Sequence, residues 1–164
     1  MLFRSSPSPP PLSPLESSRL SRTLPPASPI TIETWFHVIQ SDANTGTIPA
    51  SSLTAQLDVI NTQFAGSGFA FRRVGGTRTI HPEWYKYGID NFETTMEMRK
   101  ALRKGTYRTL NVYFLSSEIG ILGMAVFPVM TPSVGERLYD GVVVMGRSVP
   151  GGDFVVSFLV CGRL

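Results

Sequence analysis

The run Thr31-Ile32-Glu33-Thr34-Trp35-Phe36-His37-Val38-Ile39 is dense in β-branched and aromatic residues and holds no Gly or Pro. Side chains of this kind fit a pleated backbone better than a helix, and the apolar ones do not alternate cleanly with polar ones, so the run reads as a strand covered on both faces. A strand of that type needs layers above and below it, which restricts the chain to architectures in which helices pack on a sheet. The flanking sequence agrees. Ser41-Asp42-Ala43-Asn44-Thr45-Gly46 is turn-forming, and Pro49-Ala50-Ser51-Ser52 sets up a helix start. Leu53, Leu57, Ile60 and Phe64 then recur at three-and-four spacing, the signature of one apolar helix face.

Gly66 and Gly68 end that helix, and Phe69-Ala70-Phe71-Arg72-Arg73-Val74 resumes an extended pattern that runs past Gly75-Gly76 to Ile80. Pro82, Trp84, Tyr85, Tyr87 and Gly88 read as a loop, followed by a second helix over Phe92 to Lys104. Its acidic Glu93 and Glu97 come early and its basic Arg99, Lys100, Arg103 and Lys104 late, matching the helix dipole, with Gly105 as the stop. Three strand-length apolar runs follow, Thr109 to Leu115, Ile119 to Phe127 and Gly141 to Met145. The predicted order is β-α-β-α-β-β-β, an α/β domain (α+β mixed sheet) of two or three layers without internal repeats.

The 164 residues suffice for one such domain. Three regions are expected: 1–29, Pro/Ser-rich and without a packed core; 30–153, the domain; and 154–164, an apolar tail lacking helix period, cap or turn. Arg4-Ser5-Ser6-Pro7-Ser8-Pro9-Pro10 has the spacing of a polyproline ligand, which Pro-rich tracts also produce by chance. The residues after Met1–Arg4 lack the roughly 7–15 apolar positions of a secretory signal, so no export signal is read here. No run approaches the roughly 18 apolar residues of a membrane span. A net charge of +3 is too small to point to nucleic acid, so neither nucleic acid nor membrane is an expected partner.

Residues able to carry chemistry are scarce. One cysteine, Cys161, excludes an intrachain disulfide and any zinc site with two thiolates, and its apolar surroundings disfavour a nucleophilic thiolate. The two histidines, His37 and His81, are not paired in sequence; His37 reads as a hydrogen-bonded core residue and His81 as an exposed loop residue. No G-x-S-x-G, G-x-G-x-x-G or G-x-x-x-x-G-K-[ST] occurs, and Gly75-Gly76 and Gly151-Gly152 read as turns. Arg99, Lys100, Arg103, Lys104 and Arg108 read as a solvated helix end. No catalytic or metal-binding residue is therefore assigned.

One long stretch is more specific. Met98-Arg99-Lys100-Ala101-Leu102-Arg103-Lys104-Gly105-Thr106-Tyr107-Arg108-Thr109-Leu110-Asn111-Val112-Tyr113-Phe114 resembles the secreted fungal extracellular metalloproteases of the pappalysin and cytophagalysin group, within the metzincins. The resemblance extends from Ile30 to Gly152 through Trp35-Phe36-His37-Val38-Ile39, Leu122-Gly123-Met124-Ala125-Val126-Phe127-Pro128, Asp140-Gly141-Val142-Val143-Val144 and Ser148-Val149-Pro150-Gly151-Gly152. It implies the N-terminal part of a metzincin-like catalytic domain in a family that is extracellular and cleaves proteins with zinc. It further implies that Gly123, Met124, Ala125, Val126 and Phe127 correspond to the edge strand on which an extended peptide or protein substrate is laid by strand addition.

In that family the Pro-Gly-Gly match is followed by H-E-x-x-H-x-x-G-x-x-H, whose histidines bind zinc and whose Glu acts as base. Asp153 to Leu164 carry none of it, so this chain is expected to hold no zinc and to be inactive as written. The abrupt change predicts a truncated gene product, by read-through into an intron or a frameshift near Asp153; Val156-Ser157 can be encoded by a GTGAGT splice donor. The competing expectations are a non-catalytic binding module, using the exposed edge or the Pro-rich N-terminus, and a fragment whose uncovered sheet prevents stable folding.

Overall fold

The computed structural model describes residues 28–116 and 120–152. Strand β1 (Ile30–Gln40) leads through helix α1 (Ala50–Gln63) to β2 (Phe69–Ile80). Helices α2 (Pro82–Tyr87) and α3 (Phe92–Leu102) precede β3 (Leu110–Leu115), after which come β4 (Gly123–Ala125), helix α4 (Val134–Tyr139), β5 (Val142–Met145) and a 3-10 turn (Gly146–Ser148). The sheet order is β2-β1-β3-β5-β4. β1 is parallel to β2 and β3, β5 is parallel to β3, and β4 alone is antiparallel, against β5. The mixed α/β sheet anticipated from the sequence is the architecture observed.

β1 owes its composition to its place in the middle of this sheet. From Phe36 to Gln40 every residue is buried, alternate side chains entering opposite layers. Phe36 and Val38 join Val112, Phe114 and Leu53 of α1 on one face. Ile39 joins Tyr113, Leu115 and Val143 on the other, under Trp84 of α2 and Met98 and Leu102 of α3. The domain thus has three layers. Each fully buried large apolar side chain contributes roughly 1.5–3 kcal/mol, so the two clusters carry most of the stability.

Several local features depart from the sequence reading. The expected loop at Pro82–Gly88 is a short helix: His81 caps it by accepting from Trp84 N (3.2 Å), and Pro82 occupies the first turn, where a missing N–H costs nothing. Six residues are too few to display a helical period. α4 was not anticipated, although Ser133-Val134-Gly135-Glu136 forms a full capping box. Of the extended run expected over Ile119 to Phe127, the described residues from Gly120 on form a strand at Gly123–Ala125 alone. Gly75-Gly76 is not a turn but part of β2, where the β1–β2 register slips at Thr34/Trp35. A Cβ at Gly75 would lie 2.5 Å from the Trp35 ring, so the glycine lets that ring cross the bulged backbone.

Candidate functional site

Among the described residues the sheet ends at β4. Its register with β5 is Gly123↔Val144, Met124↔Val143 and Ala125↔Val142, and Met145 N donates to Leu122 O (2.8 Å). Antiparallel pairs alternate between hydrogen-bonded and non-hydrogen-bonded, so Leu122 opposite Met145 makes Met124 the next bonded residue. Gly123 and Ala125 then direct their main-chain N–H and C=O away from β5, along the outer edge. Among the described residues no strand pairs with that edge. Met124 is half-buried against the cluster containing Tyr113 and Val143, which fixes the strand by its side chain. Gly123 approaches β5 so closely that a Cβ would lie 2.9 Å from Val143 O.

Of the five residues expected to form this edge, Gly123, Met124 and Ala125 lie in the strand, while Val126 and Phe127 lie beyond it. Phe127 is 94% exposed. Just past it, Tyr107 Oη donates to Val129 O (3.2 Å) and accepts from Val129 N (3.1 Å), tying the segment after β4 to the turn before β3.

His37 is the core residue its sequence context implied. It is fully buried, with Nδ1 2.9 Å from Thr77 Oγ1 and Nε2 2.9 Å from Asn111 Oδ1. Asn111 donates from Nδ2 to Lys104 O (3.0 Å) and Thr109 O (3.2 Å), while its Oδ1 accepts from Lys104 N (2.9 Å). That saturation makes His37 Nε2 the donor and Nδ1 the acceptor of the Thr77 hydroxyl, a neutral ring with both nitrogens engaged. Burial pushes its pKa below the ordinary 6.5 against the hydrogen bond to Asn111, and the charges of Lys104 and Arg103 add to the lowering.

His81 corrects the expectation of an exposed loop residue. It is half-buried, stacked on Trp84 at 4.0 Å, with Nδ1 occupied as a helix cap. Among the described residues, no three His, Cys, Asp or Glu side chains converge as metal ligands. The described residues do not fit a zinc site of three nitrogen or oxygen donors. Cys161 and the Pro-rich motif lie outside the described residues.

The basic cluster also reads differently in space. Arg99 is not solvated but fully buried, its guanidinium 4.5 Å from the Tyr139 ring centroid and 5.6 Å from that of Tyr113. Its nitrogens have no hydrogen-bond partner among the described residues. Burial lowers its pKa, opposed by Tyr113, Tyr139 and Asp140, and burial raises the Tyr113 phenol to about 12. Arg103 is held by Asp140 Oδ2 (3.1 Å) and Asp140 O (2.7 Å). Lys100, Lys104 and Arg108 remain exposed.

Among the described residues no helix is long and apolar enough to cross a membrane. No protein-family model matches the chain. It is 43% identical over 140 residues to an extracellular metalloprotease of Arthroderma gypseum, covering 85% of this chain and 46% of that protein. Extracellular metalloproteases of Arthroderma benhamiae (41% over 128 residues; 77% and 42% covered) and Colletotrichum graminicola (40% over 131 residues; 77% and 45%) are similar to it as well. The chain therefore spans less than half the length of these relatives. Among solved structures, mature mirolysin of Tannerella forsythia in complex with a cleaved peptide superposes with a TM-score of 0.57 at 20% identity, over 75% of this chain and 55% of that one. The two share the fold.

Proposed function

We propose that residues 30–152 are the front part of the catalytic domain of a secreted zinc endopeptidase of metzincin type, and that β4 is the edge on which a substrate peptide is laid. The observation that carries this reading is an antiparallel edge without a partner strand among the described residues, in a chain about 40% identical to extracellular metalloproteases. An extended peptide running antiparallel to β4 would bond to the outward N–H and C=O groups of Gly123 and Ala125, gaining affinity from main-chain pairing and little sequence preference from it. Val126 and Phe127 would flank the paired stretch as apolar contacts rather than as strand members.

Hydrolysis belongs, on this reading, to residues that follow the matched segment in the longer relatives. His37 spends both ring nitrogens and His81 its Nδ1 on structural hydrogen bonds, and the 164-residue sequence contains no H-E-x-x-H. Zinc-bound water activated by a Glu is the chemistry such a helix supplies. The present chain would then capture peptide without cleaving it, which makes a non-catalytic peptide-binding module the description of these residues taken alone. A casein digestion with added zinc, run with and without chelator, tests this: no chelator-sensitive release is expected, and chelator-sensitive cleavage by this chain overturns it.

A further inference from the structure

Beyond Ala125 the chain passes the starts of β5 and β3, since Ala125 pairs with Val142 and Val129 is held by Tyr107. A cleft of about 490 Å³ opens there between the end of α3 and α4, lined by Lys100, Arg103, Tyr107 and Arg137 over Val134 and Leu138. Three cations converge on it and no carboxylate lines it. Lys100 and Arg103 alone would be the ordinary basic end of a helix, answering the α3 dipole. Arg137 comes from a different element, however, and with Arg103 already answered by Asp140, bringing Arg137 to the same space as Lys100 raises the energy unless a further anion joins them.

Asp140 answers Arg103 alone, whose terminal nitrogens reach Asp140 Oδ2 (3.1 Å), Asp140 O (2.7 Å) and Thr106 O (3.3 Å), and Glu136 accepts from Ser133 N (2.8 Å) at the α4 cap, so neither carboxylate is paired with Lys100 or Arg137 among the described residues. Arg137 donates from Nε to Pro132 O (3.1 Å), which leaves its terminal nitrogens for another acceptor. Lys100 makes no ion pair among the described residues. The cleft thus sets the exposed cations Lys100 and Arg137 beside Leu138 and the exposed Val134, suited to a carboxylate at the end of a short aliphatic stem.

We propose that the Lys100–Arg103–Arg137 cleft is a subsite for an acidic side chain of the peptide laid on β4, a proposal that rests on the edge reading above. A peptide antiparallel to β4 sends its N-terminal portion past Ala125, toward the segment that Tyr107 holds. At about 3.4 Å per residue, an acidic residue roughly two to four positions N-terminal of the paired stretch reaches that region. The cleft therefore sets a preference for Glu or Asp upstream of the stretch held by the edge, where the main chain itself cannot discriminate.

The test uses two labelled extended peptides that differ only at the N-terminal side of a Val/Thr-rich stretch, one carrying Glu-Glu and the other Gln-Gln, in fluorescence anisotropy with this chain. The Glu peptide is expected to bind about 5- to 30-fold more tightly at low salt, the effect of a few partly exposed charge pairs. The difference should collapse at high salt. It should also vanish in Lys100→Gln/Arg137→Gln, exposed positions that fold without them, while the Gln peptide's affinity stays unchanged. Equal affinity for both peptides refutes the subsite and leaves the edge standing. Binding of the Glu peptide that survives Ala125→Pro but not Lys100→Gln/Arg137→Gln refutes the edge, and with it the subsite as part of a strand-addition site. Failure of both peptides to bind refutes both.

Discussion

Replacing Ala125 with proline separates the edge's structural role from its binding role. Ala125 sits opposite Val142 as a non-hydrogen-bonded pair, so its N–H points away from β5 and contributes nothing to the β4–β5 ladder. Proline is tolerated at such an edge position, and the residue before it, Met124, is already in a strand as the pyrrolidine ring requires. The stability change should therefore stay within about 1 kcal/mol, a few degrees in Tm. A bound peptide loses one main-chain hydrogen bond, about 0.5–1.5 kcal/mol, and meets the ring where its own carbonyl would have approached. The combined effect should be at least about tenfold in Kd, read by anisotropy with the labelled peptides beside a thermal melt by circular dichroism. Unchanged affinity in a folded variant would refute strand addition at β4. A collapse of the melt would instead refute the outward assignment of the Ala125 N–H.

The core makes further predictions. Asn111→Leu should cost about 2–4 kcal/mol in urea unfolding, because it strands the buried ring of His37 and removes the part-buried bonds to Lys104 N and Lys104 O; a loss under 1 kcal/mol would mean that water replaces the amide. His37 titrates in the folded state below its ordinary 6.5, so the unfolded chain takes up the proton more readily: stability should be full above about pH 6.5 and fall as the pH drops below it. Thermal melts from pH 8 to 5 should show that loss in the native chain and a weaker one in His37→Gln; an equal slope in both would assign it to other groups. Arg99→Met keeps the packing between Tyr113 and Tyr139 but removes a buried charge without hydrogen bonds, and should be neutral or stabilising by about 1–3 kcal/mol, whereas Arg99→Ala should cost about 2–4 kcal/mol. Strong destabilisation by Met would show that the charge itself holds Tyr139 in place.

The elements legible in the sequence were those whose periodicity is set by burial. β1 is central and packed on both faces, and its run of Trp, Phe, Val and Ile states as much; α1 presents Leu53 at the head of its apolar stripe. The features that escaped are governed by contacts distant in sequence or by caps too short to set up a period. Arg99 reads as one of four late-helix cations, and only the approach of Tyr139 from α4 and Tyr113 from β3 removes it from water. α2 and α4 are six residues each, announced by His81-Pro82 and by Ser133…Glu136 rather than by hydrophobic spacing. The candidate edge was located by resemblance, and its length could not be: Val126 and Phe127 continue the apolar texture of β4, but β5 begins at Val142 and offers them no partner.

The central claim is that Gly123 and Ala125 present a free main-chain edge to an extended peptide. Amide hydrogen exchange of the 15N-labelled chain, with and without a saturating Val/Thr-rich peptide, measures it directly. The account predicts that the Gly123 and Ala125 amides exchange quickly in the free chain and become protected on binding, with Met124, already bonded to β5, little changed. Protection of Met124 alone, or protection elsewhere with Gly123 and Ala125 still exchanging freely, would contradict it.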